Sequence, residues 1–329
     1  MALTTMYKWI YSYKIKDPSS SYRPVVLVTG CSSGIGLAIA KRLVQYNRYR
    51  LVITTRNQSL EILKKLFPES ENLMICALDV TKEAERKNCL QQVEVRFGGV
   101  DILICNAGIS YRSVIEEMTD RDESLQMQTN YLGPMGLIRL CLPYMRKTGR
   151  GKIINISSVS GMLAMPTMAS YSASKYALEG ACEALWYEVK PFGINVSLVQ
   201  PGFVRSDSYE RVKYSKAAMK SRSGDTAYTQ FYKSMEPFIA WLMRHAWATP
   251  ESIAGLTLDV IRTQNPPLWI PASFDAEFFY YLRRIFPRRL LHPFLYASLP
   301  GVSQWGARHS QKRKTLWWPF SWIRSLFQK

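Results

Sequence analysis

Six short apolar runs, rich in β-branched residues, recur along the chain and constrain its fold more than any other feature. They lie at residues 25–29, 50–55, 73–80, 100–108, 151–158 and 194–202, with helix-like stretches between them. Strands that are buried on both faces give such continuous apolar runs, and their alternation with helices is typical of a parallel sheet. The pattern therefore predicts an α/β fold with one doubly wound parallel sheet and helices on both faces.

The 329 residues divide by pattern into three parts. Residues 23–273 hold the strand–helix alternation and, with a short final strand predicted at 267–272, bring the total to about seven strands in one domain. Within this domain, residues 203–249 are polar and aromatic and predict a helical lid over a ligand, with a loop at 220–226. The remaining parts are an N-terminal extension, residues 1–22, and a basic, aromatic C-terminal segment, residues 274–329.

Much of the formal net charge of +18 lies at the C-terminal end of the chain, where ten Lys or Arg and no acid follow Glu277. Basic groups interleaved with Trp and Tyr favour the headgroup region of a membrane. The segment is too short and too charged to span a bilayer, so it predicts peripheral membrane contact, with packing on the domain or a partner as the alternative. No nucleic-acid recognition module accompanies it, so no nucleic-acid partner is expected.

The rest of the composition indicates a cytoplasmic protein, peripheral at the cytosolic face of a membrane. Residues 1–17 lack the apolar core and cleavage site of a secretory signal. Six cysteines without a C-x-x-C pair are typical of packed thiols in a reducing compartment. The three histidines are isolated, so neither a metal site nor a histidine-based triad is expected.

The sequence "TGCSSGIG" at residues 29–36 follows the first predicted strand and opens the first predicted helix, which is the setting of a phosphate-binding turn. Gly30 and Gly34 permit backbone angles that are closed to other residues, and Gly36 permits close approach of a ligand. The spacing G-x-x-x-G-x-G differs from the usual G-x-G-x-x-G. Judged by this motif alone, the glycines could instead form a tight strand-to-helix connection that binds no phosphate.

Arg56 stands at the end of the second predicted strand, where an acid would bind the ribose hydroxyls of NAD. No acid occurs between Gly36 and Glu61. An acid would repel a 2′-phosphate, whereas a guanidinium pairs with it bidentately. The cofactor is therefore predicted to be NADP(H), and an ordinary exposed arginine at a strand end is the alternative.

Tyr171 and Lys175 in "YSASK" are four residues apart and so share one face of a helix. A nearby ammonium group stabilises a phenolate and lowers the pKa of the tyrosine, which would make Tyr171 a usable acid or base. On spacing alone, a coincidental pair on a helix surface is the commoner explanation.

Together these motifs resemble the short-chain dehydrogenase/reductase family over about 250 residues. "TGCSSGIG" is similar to its cofactor turn, "NAG" at 106–108 to its central-strand segment, and "PGFVRS" at 201–206 to its nicotinamide segment. Ser158 precedes Tyr171 by thirteen residues, as the catalytic serine of the family does. Cys105 replaces an Asn, and Ser206 replaces a Thr while keeping its hydroxyl. The resemblance implies a Rossmann-type fold.

The resemblance also implies the residues of the site. The catalytic set is Asn130, Ser158, Tyr171 and Lys175. The cofactor-binding set is Gly30, Ser32, Ser33, Gly34, Ile35, Gly36, Arg56, Asp79, Val80, Asn106, Ala107, Gly108, Tyr171, Lys175, Pro201, Gly202, Val204 and Ser206.

The implied roles follow the family's mechanism. Tyr171 exchanges a proton with the substrate oxygen during hydride transfer, and Ser158 polarises that oxygen. Lys175 lowers the pKa of Tyr171 and holds the nicotinamide ribose. Asn130 positions a water that links Lys175 to solvent, and Asp79 contacts the adenine.

The substrate is predicted to be lipophilic. Within the family, the motifs look most like the hydroxysteroid and retinol dehydrogenases and the 3-ketosphinganine reductases. Met162, Met165 and Met168 lie between the catalytic serine and tyrosine and would form an adaptable apolar wall, or simply fill the core.

The predicted function is interconversion of a lipophilic alcohol and its ketone or aldehyde, the substrate being a sterol, a retinoid or a long-chain keto-lipid. The alternatives are a non-enzymatic NADP(H)-binding scaffold at a membrane, and a reductase of another carbonyl class such as fatty acyl or polyketide. The resemblance also implies a homodimer or homotetramer.

Overall fold

The structure, a computed structural model, describes residues 22–206 and 211–306. Its seven strands are β1 Val25–Val28, β2 Arg50–Thr55, β3 Leu73–Ala77, β4 Ile102–Cys105, β5 Gly151–Ile156, β6 Ile194–Gln200 and β7 Trp269–Pro271. All neighbours pair in parallel, in the order β3-β2-β1-β4-β5-β6-β7. The predicted doubly wound sheet of about seven strands is thus confirmed. The run at 50–55 matches β2 in full, the other runs extend past the ends of their strands, where the chain turns away to build loops, and those at 100–108 and 267–272 also begin two residues too early.

Helices connect these strands and cover the sheet. They are α1 Gly34–Tyr46, α2 Leu60–Leu66, α3 Glu83–Phe97, α4 Asp120–Met127, α5 Gly133–Thr148, α6 Ala169–Val189, α7 Lys216–Ser223, α8 Thr229–Arg244, α9 Pro250–Arg262, α10 Phe274–Ile285 and α11 Arg288–Ser298. A π-helical turn, Gln128–Leu132, joins α4 to α5. Local sequence explains several boundaries: α3 ends at Gly98 with φ of 85°, and Thr249 and Ser252 form a capping box that starts α9.

Side chains of β1 alternate between two hydrophobic cores, one on each face of the sheet. Val26 and Val28 belong to the core that α1 and α9 cover. Val25 and Leu27 belong to the opposite core, under α3, α5 and α6. The six cysteines are buried free thiols, as expected of packing residues, and the buried strands read as continuous apolar runs because both of their faces are covered.

The strand order reverses between β1 and β4, which pair through Val26 with Ile102 and Leu27 with Leu103. Helices that follow these two strands leave on opposite faces and open a crevice at the carboxyl edge of the sheet. The loops of the candidate site meet at this crevice.

The predicted lid region contains α7 and α8, with residues 207–210 outside the described part. Residues 220–223 belong to α7, so the loop predicted at 220–226 was placed too early; the glycine at 224 ends the helix. Tyr232 of α8 is buried, donates a hydrogen bond to Glu117 at 2.5 Å and accepts one from the Val114 amide at 3.0 Å. This aromatic side chain therefore anchors the insertion to the loop after β4.

The C-terminal segment packs directly on the domain over its described part. Phe279, Tyr280 and Leu295 contact a cluster of Val159, Met162 and Leu163. Met162 is thus a core residue, which agrees with the alternative interpretation in the sequence analysis and not with a wall that contacts the substrate. The predicted N-terminal extension up to residue 21 and the tail from residue 307 lie outside the described residues. Within 22–206 and 211–306, no helix has the length and apolar character needed to cross a membrane.

Candidate active site

The turn after β1 requires glycine at positions 30, 34 and 36. Gly30 and Gly34 have φ of +72° and +55°, in the left-handed region that favours glycine. A Cβ atom at Gly36 would overlap the carbonyl oxygen of Gly30 and the side-chain amide of Asn106. The three glycines therefore let the turn close tightly on the neighbouring strand.

Asn106, directly after β4, braces this turn. Its side-chain nitrogen donates to the carbonyl oxygens of Thr29 at 2.9 Å and Gly30 at 3.1 Å. In return, the Thr29 hydroxyl accepts hydrogen bonds from the backbone amides of Asn106 and Ala107, both at 3.0 Å. The predicted segment at 106–108 thus ties the ends of β1 and β4 together.

The turn fits the diphosphate of a dinucleotide. The α1 helix begins at Gly34, and the side chain of its N-cap residue, Ser33, makes no capping hydrogen bond. No acid lies in the first turn. The first amides of α1 and the positive end of the helix dipole are therefore available to an anion, with Ser32 and Ile35 partly buried beside them.

The residues predicted to meet the adenosine half lie along the same edge. Arg56 follows β2 with an exposed side chain. Asp79 follows β3, and its carboxylate accepts from the Thr81 amide at 3.0 Å and the Thr81 hydroxyl at 2.7 Å, so it also shapes its own loop. The adjacent Val80 is buried, and its carbonyl oxygen accepts from Arg86 at 2.6 Å.

The predicted catalytic residues meet at the end of β5 and the start of α6. Ser158 caps a short 3-10 turn, its hydroxyl accepting from the Ser160 amide at 3.1 Å. Tyr171 and Lys175 lie one turn apart on α6, and the Lys175 Nζ atom is 5.9 Å from the Tyr171 ring centroid. Lys175 is buried and donates to the Ile156 carbonyl oxygen at 2.8 Å. The helix thus presents the tyrosine and lysine beside the serine.

The electrostatics of Tyr171 differ from the prediction. The pKa of Tyr171 is raised, not lowered, because burial disfavours the phenolate more than a hydrogen bond with Ser158 and the charge of Arg112 favour it. Burial also lowers the pKa of Lys175 itself, to about 8. The predicted lowering of the Tyr171 pKa is therefore not seen as the net effect in this structure, and the lowering contribution of Lys175 stays a prediction.

Asn130 lies in the π-helical turn with its side chain fully engaged by protein groups. Its oxygen accepts from the Ile109 amide at 2.8 Å, and its nitrogen donates to the Ile109 carbonyl oxygen at 2.9 Å and the Ser174 hydroxyl at 3.0 Å. These bonds join the loop after β4 to α6. The Asn130 side chain therefore holds the loop after β4 and α6 in place relative to one another. The water that links Lys175 to solvent stays a prediction.

The predicted nicotinamide segment follows β6 and is held from two sides. The Pro201 carbonyl oxygen accepts from the Val159 amide at 2.8 Å, next to Ser158. The Gly202 amide donates to the Ser273 hydroxyl at 2.9 Å, and the next amide along the chain donates to Asp275 at 2.7 Å. Further along, Val204 is buried and pairs with Ala248, and the Ser206 hydroxyl lies 3.5 Å from the Val204 carbonyl oxygen.

Glu179 is a buried carboxyl at the centre of the site that the sequence analysis missed. It accepts from the Ser157 hydroxyl at 2.6 Å and from the Gln200 side chain at 2.9 Å. Burial raises the pKa of Glu179 to about 7, partly offset by these bonds and by Lys175. Because Glu179 lies one helical turn beyond Lys175, that spacing was the available signal, although its partners come from β5 and β6.

The comparisons with known proteins agree with this geometry. A family described as "short chain dehydrogenase" matches residues 24–216. The chain is 32% identical over 243 residues to a 3-ketodihydrosphingosine reductase of Bacteroides thetaiotaomicron, covering 74% of this chain and 85% of that protein. It is 30% identical over 252 residues to human 17-beta-hydroxysteroid dehydrogenase type 1, covering 75% and 76%.

A solved structure leads to the same class. The short-chain dehydrogenase from Streptomyces avermitilis superposes with a TM-score of 0.69 at 31% identity, covering 84% of this chain and 98% of that one. The chain therefore belongs to the short-chain dehydrogenase family of oxidoreductases, whose fold binds a nicotinamide dinucleotide.

A side chain at Gly36 tests the tight closure of the cofactor turn. We expect Gly36→Ala to weaken dinucleotide binding at least about tenfold, because the methyl group must displace the Gly30 carbonyl or the Asn106 amide. Fluorescence titration with NADPH and NADH measures the change. Gly180→Ala is the control, since a Cβ there meets no atom within 4 Å. Equal affinity of the two variants would contradict the packing described for the turn.

Substitution of Glu179 tests its role as a buried hydrogen-bonded carboxyl. Glu179→Ala leaves the Ser157 and Gln200 donors unsatisfied, so we expect a loss of about 2–3 kcal/mol in unfolding free energy. Glu183→Ala, at an exposed site one turn further along α6, is the control. Urea unfolding measures both, and equal stability of the two variants would count against the role.

The pKa of Glu179 predicts a pH dependence of stability. Its folded pKa of about 7 lies above the ordinary value of 4.5, so the folded state binds the extra proton between these values. We expect unfolding free energy to fall as pH rises through this window in the wild type. In Glu179→Gln this part of the decline should disappear. An unchanged pH profile in that variant would show that Glu179 titrates normally.

Proposed function

We propose that the protein is an NADP(H)-dependent oxidoreductase that interconverts a lipophilic alcohol and its ketone or aldehyde, with Tyr171 as the acid or base. The observation that carries this proposal is the convergence of Ser158, Tyr171 and Lys175 at the carboxyl edge of the sheet, beside a turn that fits a dinucleotide. Simple dinucleotide binding does not require a tyrosine hydrogen-bonded to a serine at this place.

The raised pKa of Tyr171 keeps its phenol in the form that carbonyl reduction requires. At neutral pH the phenol keeps its proton, which is the form that donates to a carbonyl oxygen. When bound, the reduced dinucleotide supplies the hydride for the carbonyl carbon. Tyr171 then donates its proton to the oxygen as negative charge develops there, while the Ser158 hydroxyl hydrogen-bonds the same oxygen. Alcohol oxidation is the same sequence in reverse.

Lys175 and Arg112 provide positive charge beside this proton transfer. The pKa of Lys175, about 8, leaves most of its amino groups charged at neutral pH. In the proposed complex, the Lys175 amine holds the nicotinamide ribose and helps to stabilise the phenolate left after proton donation. Arg112 is buried, and its charge acts in the same sense on Tyr171. The negative charge that forms when Tyr171 gives up its proton is thus balanced by the positive charges of Lys175 and Arg112.

A lipophilic substrate is supported by two kinds of observation. The similar proteins from Bacteroides thetaiotaomicron and human are named for a ketodihydrosphingosine and a hydroxysteroid, both largely apolar molecules. In addition, α10 packs two aromatic side chains, Phe279 and Tyr280, against the apolar loop that follows Ser158. A fatty acyl or polyketide carbonyl is the nearest alternative within the same chemistry.

NADP(H) is proposed over NAD(H) because of Arg56. Its exposed guanidinium lies at the end of β2, where the adenosine ribose is held in dinucleotide-binding folds. Within the described ranges, Arg56 forms no ion pair with an acid. A 2′-phosphate would give it a bidentate partner.

Removal of the Tyr171 hydroxyl separates an enzyme from a dinucleotide-binding scaffold. We expect Tyr171→Phe to lower the rate of carbonyl reduction by about 100- to 10,000-fold, because the proton donor is lost. NADPH binding should change little, since the ring remains. The assay is NADPH oxidation with a panel of steroid ketones, retinal and 3-ketolipids in detergent. Substantial residual turnover in the variant would exclude Tyr171 as the proton donor.

Charge reversal at Arg56 tests the choice of cofactor. Arg56→Asp should weaken NADPH binding about 10- to 100-fold relative to NADH, because a charged hydrogen-bonding partner of the 2′-phosphate is replaced by a repelling carboxylate. Arg48→Asp is the matched control, since Arg48 is exposed at the opposite end of β2. Titration of both variants with both dinucleotides gives the preference. An equal response of the two variants would remove the support for NADP(H).

A further inference from the structure

Helix α10 presents apolar side chains to the solvent along its whole length. Phe274, Phe278, Tyr281 and Ile285 follow a spacing of four, three and four residues, and their exposed fractions are 56%, 52%, 43% and 71%. A helix on the surface of a soluble domain usually places polar residues on this stripe. The outward face of α10 therefore has the character of a contact surface.

Exposed apolar side chains also lie on elements adjacent to α10. Trp247, with an exposed fraction of 77%, lies against Phe274 with their ring centroids 5.6 Å apart. Beyond the C-terminal end of α10, Leu290 of α11 is exposed as well. We call these six side chains the apolar face; they are Trp247, Phe274, Phe278, Tyr281, Ile285 and Leu290.

The charge beside the apolar face is positive. Arg284, Arg288 and Arg289 are exposed, and the described segment from residue 274 contains two acids, Asp275 and Glu277. Asp275 is held inward by the backbone amide of residue 203, and Glu277 is buried. This surface is complemented by a partner that is apolar in its interior and anionic at its surface. An acidic phospholipid bilayer has this structure.

We propose that the apolar face is the surface by which this protein lies on an anionic phospholipid membrane. The aromatic and aliphatic side chains enter the boundary between headgroups and acyl chains, and the arginines contact the phosphates and carboxylates around them.

The opposite face of α10 belongs to the catalytic region. Phe279 and Tyr280 pack on Val159 and Met162, directly after Ser158. Ser273, the N-cap of α10, holds the amide of Gly202. One helix, about 10 Å across, therefore separates the membrane surface from the catalytic loops. This part of the inference rests on the proposed function. The arrangement places the catalytic site beside the membrane, so that a lipophilic carbonyl substrate reaches it from the bilayer.

The test is flotation of the full-length protein with vesicles of phosphatidylcholine, alone or mixed with phosphatidylserine. We expect binding to the mixed vesicles, and Phe278→Ser with Ile285→Ser should reduce it about tenfold or more, because two exposed apolar side chains no longer enter the lipid. The control is Ile62→Ser with Leu66→Ser, which removes two exposed apolar side chains from α2. Arg288→Gln with Arg289→Gln should weaken the preference for phosphatidylserine, and an unchanged preference would count against the proposed contact of these arginines with the headgroups.

Activity measurements separate this proposal from the proposed function. Phe278→Ser with Ile285→Ser should reduce a water-soluble short-chain ketone at the wild-type rate, but a vesicle-dissolved substrate about tenfold more slowly. Tyr171→Phe should float like the wild type while losing activity. The docking proposal is overturned if Phe278→Ser with Ile285→Ser floats as well as the wild type, or if the wild type binds an acidic protein and no vesicle. Either result leaves the Tyr171 assay to decide the enzymatic function.

Discussion

The pairing of β1 with β4 is the constraint on which the rest of the site depends. It places Thr29 opposite Asn106, so that one hydroxyl and one side-chain amide satisfy the backbone groups where both strands end. Buried backbone groups rarely stay without a hydrogen-bond partner, and here the same bonds hold the glycine turn open to the crevice. The loops after β5 and β6 then reach the same edge because every strand runs in the same direction.

Within this frame, buried ionisable groups form one electrostatic unit. The Glu179 carboxylate accepts from Ser157, which directly follows β5, and from Gln200 at the end of β6, so one carboxyl connects α6 to the residues beside Ser158 and Pro201. It also acts on Lys175 and Tyr171 through its charge. Because these charges act on one another, a change at any one of the groups alters the pKa of the others. Such clusters of shifted groups are typical of reaction centres.

The fold could be predicted from the sequence because strands that are buried on both faces consist of continuous runs of apolar residues. It also sufficed to bring together the glycine turn, Ser158, Tyr171 and Lys175, since motif spacing determines their places along strands and helices. The pKa of Tyr171 was not accessible, because desolvation depends on how tightly other elements close over the side chain. Glu179 was missed for a related reason: its hydrogen-bond partners are 21 and 22 residues away along the chain.

The two hydrogen bonds that the start of α10 makes with the loop after β6 also bear on how such a protein evolves. Ser273 and Asp275 lie far beyond the region that matches the family, which ends at residue 216, yet they hold the backbone beside Pro201. Replacement or loss of the C-terminal helices would therefore disturb the reaction centre as well as the surface. A substitution on α10 can therefore change its outer stripe and, through Ser273 and Asp275, the backbone beside Pro201.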